Sequence, residues 1–246
     1  MVALMVILLQ TLPSSDQTLK PIFDHETTPG YTESSLQKIG MGDEWVAAAK
    51  KLPSFRVQLY DRASEWYVKA WPDLDPFWKT RAREQGARMA ASRSPGVSGK
   101  RLPSGWNSSM GAAFLDGTVA RTGSYSIRIP GGKGETYFGS DPIPLTGKTV
   151  EVSVWVRSDG TDSHNDVITI YLLDKNKRGL DSDRFNAPMD TPFWVRVTGK
   201  KDAIRDAAFV GVGVAVRSGS GNVWLDDYSM KIDGKEVLKN PSFEER

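Results

Sequence analysis

The stretch "TVEVSVWVRS", residues 149–158, alternates cleanly: Val152, Val154 and Val156 oppose Ser153, Trp155 and Arg157. A period of two belongs to a β-strand with one face in a core and the other outside. Five more runs share it: "SYSIRI" (124–129), "DVITIYLLD" (166–174), "PFWVRVTGK" (192–200), "AAFVGVGVAVRS" (207–218) and "GNVWLDDYSMKI" (221–232). Clusters of Gly, Asp, Asn and Pro separate them, and no helical pattern intervenes. Strands joined by turn signals in this way predict an antiparallel β-sandwich, or jelly roll, over residues 104–246.

Upstream of "SRSPGVSGKRLPSG" the period changes. That stretch has the composition of a linker, placed at 92–103. Before it, residues 43–91 carry short helices. "DEWVAAAKKL" begins with acids and stops at Pro53. In "SFRVQLYDRASEWYVKAW", Ser54 is a candidate N-cap, and Leu59, Ala63, Trp66, Tyr67, Ala70 and Trp71 share one helical face. Then "DPFWKTRAREQGARMAAS" offers Asp75 as N-cap and Pro76 at the first helical position. Residues 1–42 read as an apolar N-terminus followed by an extended arm rich in Pro, Ser, Thr and Gly.

Composition narrows the function classes. The chain has 246 residues, 39% hydrophobic and 25% charged, as a globular protein does. With no cysteine there is no disulfide, thiolate nucleophile or zinc–thiolate cluster. A net charge of +2 does not point to nucleic acid. Between Lys79 and Arg101, however, seven basic residues face one acid, Glu84, an imbalance suited to an acidic partner or to lipid head groups. The apolar run Met1–Leu9 would be about 14 Å long as a helix, half of a bilayer core. It reads as an imperfect signal, as a segment that dips into a membrane or docks on a partner, or as ordinary core.

Taken in order, "SGW" (104–106), "GTVARTGSYSIRI" (117–129), "PIPLTGKTVEVSVWVRS" (142–158), "FWVRVTGK" (193–200) and "SGNVWLDDYSM" (220–230) resemble the carbohydrate-binding-module jelly rolls of the family 4/9 type and their relatives. In such modules a strand reading Asn-Pro-x-Phe-Glu comes first, before the Gly-Trp. Here Asn240-Pro241-Ser242-Phe243-Glu244 comes last. Either it begins a further module, or the strand has moved and fills the empty first position, in its own domain or in a neighbour's. The second alternative is favoured, because a jelly roll lacking one strand exposes unpaired backbone groups along a sheet edge. Burying Phe243 would add roughly 1.5–3 kcal/mol. The resemblance also implies a structural calcium held by Glu244 and Asp227, with Asp226 as a substitute.

Sugar recognition uses aromatic faces beside hydrogen-bonding groups. The candidates are Trp106, Tyr137, Trp155, Tyr171, Phe185 and Trp194. Trp155 lies in a central strand, and Trp194 and Trp224 match core positions of the resembled family, so Tyr137 and Tyr171 are left as ligand-binding residues. Catalysis finds little support. The two histidines, His25 and His164, lack a nucleophile motif, "PGGKGE" (130–135) lacks the Lys-Ser/Thr of a phosphate loop, and the acid pairs Asp73/Asp75 and Asp226/Asp227 are sequence neighbours rather than residues facing across a cleft.

Two functions follow. The first is a non-catalytic interaction or scaffolding subunit, its jelly roll held on the extracytoplasmic side of a membrane or of a membrane-protein assembly, such as an energy-transducing complex. Its docking surface comprises Leu4, Ile7, Leu8, Trp45, Trp66, Trp71, Trp78, Arg81 and Arg83, because three short helices provide too little cover for four tryptophans. Its partners are other subunits or a membrane surface. The alternative is a genuine glycan-binding module, part of a secreted polysaccharide-processing enzyme.

Overall fold

A computed structural model describes residues 19–91, 102–109, 113–131, 135–159, 167–187, 190–216, 221–239 and 241–244. The chain divides into two compact units, Met1–Met89 and Ala90–Arg246.

The first unit is built from α1 (Lys20–Thr27), α2 (Ser35–Lys51), α3 (Arg56–Ala70) and α4 (Pro76–Ala91). The predicted extended arm is therefore helical over Lys20–Thr27 and again from Ser35, with turns between. Pro21 sits in the first turn of α1. Ser34 and Gln37 form a capping box that starts α2 eight residues before the acids that marked it in the sequence. Gly40 and Gly42 hid this longer helix. Gly42 is needed for close approach, since a Cβ there would lie 2.8 Å from the Tyr67 ring. Ser54 does not cap α3, which is entered through a 3-10 turn at Pro53–Phe55. Asp75 does cap α4, accepting from the Trp78 N–H at 3.0 Å.

The arm proves to be the missing wall of the helical core. Trp45 is fully buried, with Phe23 of α1 edge-on at 5.1 Å. The buried Trp66 donates its indole N–H to Glu26 at 2.7 Å, and Tyr67 donates to Asp43 at 2.5 Å. Arg62 closes the set through ion pairs with Glu26 and Glu65. Trp45 and Trp66 are thus core residues, not members of a docking face. The expectation that they require external cover fails because α1 was not counted among the helices.

Among its described residues the second unit has twelve strands, all paired antiparallel: β1 (Trp106–Ser109), β2 (Phe114–Asp116), β3 (Ser126–Pro130), β4 (Thr136–Ser140), β5 (Ile143–Pro144), β6 (Thr149–Asp159), β7 (Val167–Leu173), β8 (Gly179–Asn186), β9 (Val195–Asp202), β10 (Phe209–Val216), β11 (Asn222–Ile232) and β12 (Lys235–Glu236). The front sheet runs β1-β4-β10-β7-β8, with β5 on β10, and the back sheet runs β2-β3-β11-β6-β9, with β12 on β11. This is the predicted β-sandwich. Its core takes alternate residues of the long strands, including Val150, Val152, Val154 and Val156 of β6 and Val210, Val212, Val214 and Val216 of β10. Strand β8, "GLDSDRFN", escaped the pattern because it is a charged edge strand. Lys201 of β9 ties it to the other sheet, donating to Asp181 at 2.8 Å and Asp183 at 2.9 Å.

The C-terminal segment is seated in its own domain. Phe243 is fully buried, its ring 5.1 Å from Trp106 and 6.1 Å from Phe138. The Pro241 carbonyl accepts from the Tyr228 N–H at 2.9 Å. The segment is a turn rather than the predicted strand, with Phe243 in the left-handed region at φ 61°. Phe243 in the core, the Pro241 carbonyl and the Glu244 carboxylate hold it in place, rather than a ladder of backbone hydrogen bonds.

Candidate functional site

The site begins with the alternation of β10, "FVGVGVAV". Its valines point into the core, so Gly211, Gly213 and Ala215 point out of the front sheet. In register, Gly213 lies opposite Gly139 of β4 and Thr169 of β7; Asn107 lies beyond Gly139, and Arg184 beyond Thr169. A floor without side chains thus crosses the middle of the sheet. Tyr137, opposite Ala215, and Tyr171, opposite Gly211, lean over it from either side. A Cβ added at Gly211 would meet the Tyr171 ring, and one at Gly213 the Tyr137 ring. The two hydroxyls hydrogen-bond to each other, and Tyr171 also donates to the Val212 carbonyl at 3.0 Å. Burial, foremost, pushes both phenols above their ordinary range, so they stay neutral. Asn107 donates to Asp141 at 3.2 Å at the rim.

Sequence reasoning chose Tyr137 and Tyr171, and the fold brings them together. It missed the floor of Gly139, Gly211 and Gly213. The available signal was glycine at every second position of a strand, which marks a close approach from above.

The other aromatic candidates lie elsewhere. Trp106 is in the core, stacked parallel on Phe138 at 5.1 Å, and Trp194 is buried. Phe185 packs on the core from β8. Trp155 faces outward from the back sheet, not into the core as its central strand suggested, and the Arg121 guanidinium covers its ring at 3.8 Å. Trp224 likewise points away from the core residues Val223 and Leu225, buried beneath Arg157 with its indole N–H on Asp116 at 3.0 Å.

The calcium candidates converge on the loop 120–125. Glu244 accepts from the N–H groups of Ser124 and Tyr125 at 3.0–3.1 Å. Asp227 accepts from the Arg121 guanidinium and the Thr122 hydroxyl, each at 2.6 Å. Asp226, fully buried, accepts from the N–H groups of Arg121, Thr122 and Asp227 at 2.7, 3.2 and 2.7 Å. Burial raises its carboxyl well above the usual range, as does the neighbouring Asp227 charge; the three N–H groups pull the other way. Calcium needs about six to eight oxygens that are open to it. These carboxylates do not fit that need, because protein donors already hold their oxygens. Among the described residues no group of three or more acidic or histidine side chains is arranged to hold a metal.

His25 contacts Glu44 at 3.1 Å and stacks on Tyr31 at 4.5 Å; His164 lies outside the described residues, as do Leu4, Ile7 and Leu8. Among the described residues no helix is long and apolar enough to cross a membrane. Of the docking candidates, Trp71 and Trp78 are half-buried, with Arg83 over the Trp71 ring at 5.3 Å and Arg81 over Trp78 at 5.2 Å.

Two antiparallel sheets packed face to face define a β-sandwich. No protein-family model matches the chain, and no curated protein does. Solved structures similar to it are mostly carbohydrate-binding modules. One is the CBM22-1 xylan-binding domain from Paenibacillus barcinonensis Xyn10C, at 17% identity over 57% of this chain and 95% of that one, TM-score 0.42. Another is TmCBM61 in complex with β-1,4-galactotriose, at 14% identity over 53% and 90%, TM-score 0.38. A third is the enzymatically active domain of Bacteriophage CBA120 tailspike protein 4, at 17% identity over 55% of this chain and only 20% of that one, TM-score 0.43. This likeness is one of architecture.

Proposed function

We propose that the chain is a non-catalytic glycan-binding module acting outside the cytoplasm, its ligand lying across the outer face of the front sheet. The observation that carries this reading is the pair of tyrosine rings laid over Gly139, Gly211 and Gly213. Two partly buried aromatic rings at the centre, 6.1 Å apart and tilted by 52°, with Asn107, Asp141, Thr169 and Arg184 around them, combine the two things a sugar ring binds: apolar surface to pack on and polar groups for its hydroxyls. Both phenolic hydrogens are donated within the protein, Tyr137's to Tyr171 and Tyr171's to the Val212 carbonyl, which leaves the phenol oxygens to accept from those hydroxyls. Xylan and β-1,4-galactotriose, named for two of the similar structures, are natural first probes. Retention of the folded protein on an insoluble polysaccharide or a glycan array, lost in Tyr137→Ala and in Tyr171→Ala at a temperature where each variant is still folded, is the expected result; both variants should melt below the wild type because their rings are partly buried. Glycan binding untouched by both substitutions would remove this face from consideration.

A second reading, docking to a protein partner, is supported by one observation on the helical unit. Phe77 is 69% exposed, its ring 5.5 Å from that of Trp78, and Lys79 and Arg83 flank Trp71. Exposed aromatics beside arginine have the composition of interface hot spots. Truncating residues 1–50 does not test this reading, since α1 and α2 wall the helical core. The doubly substituted Phe77→Ser, Arg83→Glu chain does: co-purification of a partner from the native source is expected to disappear, and its persistence would count against docking here.

A further inference from the structure

Three carboxylates meet one short loop, which raises the question of what balances them. The loop 120–125 joins β2 to β3. Asp226 and Asp227 reach it from β11, where the register shifts between Asp226 and Ser229 and Asp227 adopts φ 47°. Glu244 reaches it from the C-terminal segment. Gathering three carboxyl groups partly out of water is costly unless donors and a cation are built in.

The donors can be assigned oxygen by oxygen. Both oxygens of Asp226 are held by backbone N–H groups, as are both of Glu244. Asp227 is different: one oxygen takes the Thr122 hydroxyl and the other takes Nη1 of Arg121. The Arg121 side chain is 13% exposed and is gripped from two directions, by Asp227 at 2.6 Å and by the face of Trp155 at 3.8 Å. A guanidinium held between a carboxylate and an indole is a fixed charge rather than a mobile surface one. Its backbone N–H also serves Asp226, so one residue contributes both a cation and an amide to the cluster.

We propose that Arg121 is an internal cation that does the work of a metal ion here, so that the clasp joining the 120–125 loop, β11 and the C-terminal segment closes without calcium. A divalent ion entering the cluster has to displace the guanidinium, and the guanidinium is anchored by the indole as well as by the carboxylate. The clasp positions Glu244, and with it Phe243 in the core. The charge of Arg121 therefore reaches the closure of the sandwich.

The test is thermal unfolding of the full chain in chelator and in millimolar calcium. Wild type is expected to melt at the same temperature in each; a calcium-dependent rise, or a loss on chelation, overturns the proposal. Arg121→Ala is expected to melt about 5 °C lower in chelator and to recover part of that in calcium, because the cluster then lacks its fixed cation. Arg121→Lys, which keeps the charge but loses the fork, should fall between the two. If Arg121→Ala melts at the wild-type temperature, or drops without any response to calcium, the arginine serves only as packing on Trp155 and the proposal fails. Should Arg121→Ala not fold, the wild-type series decides alone.

Discussion

The two outer faces of the sandwich use the same materials to opposite ends. On the back sheet, Trp155 and Trp224 lie under the guanidinium groups of Arg121 and Arg157, at 3.8 and 5.1 Å. Arg157 is itself buried, donating to the Pro192 carbonyl at 3.0 Å. On the front sheet no cation lies over either tyrosine among the described residues, and glycine takes the place of a bulky neighbour. A capped aromatic contributes to stability; one over a side-chain-free floor and only partly buried leaves the rest of its ring for something else to cover. The contrast shows that an outward-pointing aromatic on a sheet is not in itself a binding residue, and that the residues opposite it in register decide.

Removing aromatic surface from the covered face gives the largest expected effect. Trp224→Ala should cost about 3–5 kcal/mol in chemical denaturation, as loss of a large buried ring does, while the folded fraction keeps the glycan binding proposed for the front sheet. A loss of binding at full folding would mean that the back sheet is the ligand face. Next is the floor of the open face. Gly213→Val places a side chain where the Tyr137 ring lies and should cost about 1–3 kcal/mol and abolish binding, read as unfolding midpoint and polysaccharide retention on the same preparation. Unimpaired binding there would show that the tyrosines need not pack over the glycines.

The rim where the faces meet gives a smaller effect, visible in acid. The Lys201 hydrogen bond, aided by the Ser182 N–H, holds the Asp181 carboxyl below the usual range. A carboxyl whose pKa is depressed on folding adds stability above its unfolded value, and the contribution is lost as pH falls through the folded one. The melting temperature should therefore decline below about pH 4, and Lys201→Met should flatten that decline. The effect is modest, because Asp181 and Asp183 are each 46% exposed and solvent screens them. An acid limb unchanged in Lys201→Met would assign it to other carboxylates. The smallest effect lies between the sheets. The Tyr228 hydroxyl is buried with no hydrogen-bond partner among the described residues, so Tyr228→Phe should shift stability by no more than about 0.5 kcal/mol. A larger loss would reveal a partner for it.

The sandwich was legible because its alternation is local. In "TVEVSVWVRS" each residue's face follows from its neighbours, and six such runs correspond to the long strands β3, β6, β7, β9, β10 and β11. The helices α3 and α4 were legible for the same reason, with Pro72, Asp75 and Pro76 marking their ends. The helix α1 was not. Its short sequence, "KPIFDHET", carries one buried residue, Ile22, and its importance lies in what Phe23 and Glu26 meet in other helices. The tail was half legible: its motif announced a role in a sandwich, but not that a single buried phenylalanine would fulfil it as a turn.

By itself, then, the sequence determined the element types, the division into a helical and a β-rich part, and the two tyrosines worth testing. These follow from periodicity and end signals that extend over a few residues. Only the tertiary structure decided which sheet face stays bare, that α1 walls a core of its own, and that Arg121 meets Asp227 106 positions away. Such pairings join residues whose separation along the chain carries no trace of their contact, because register and packing choose them after the local elements have formed.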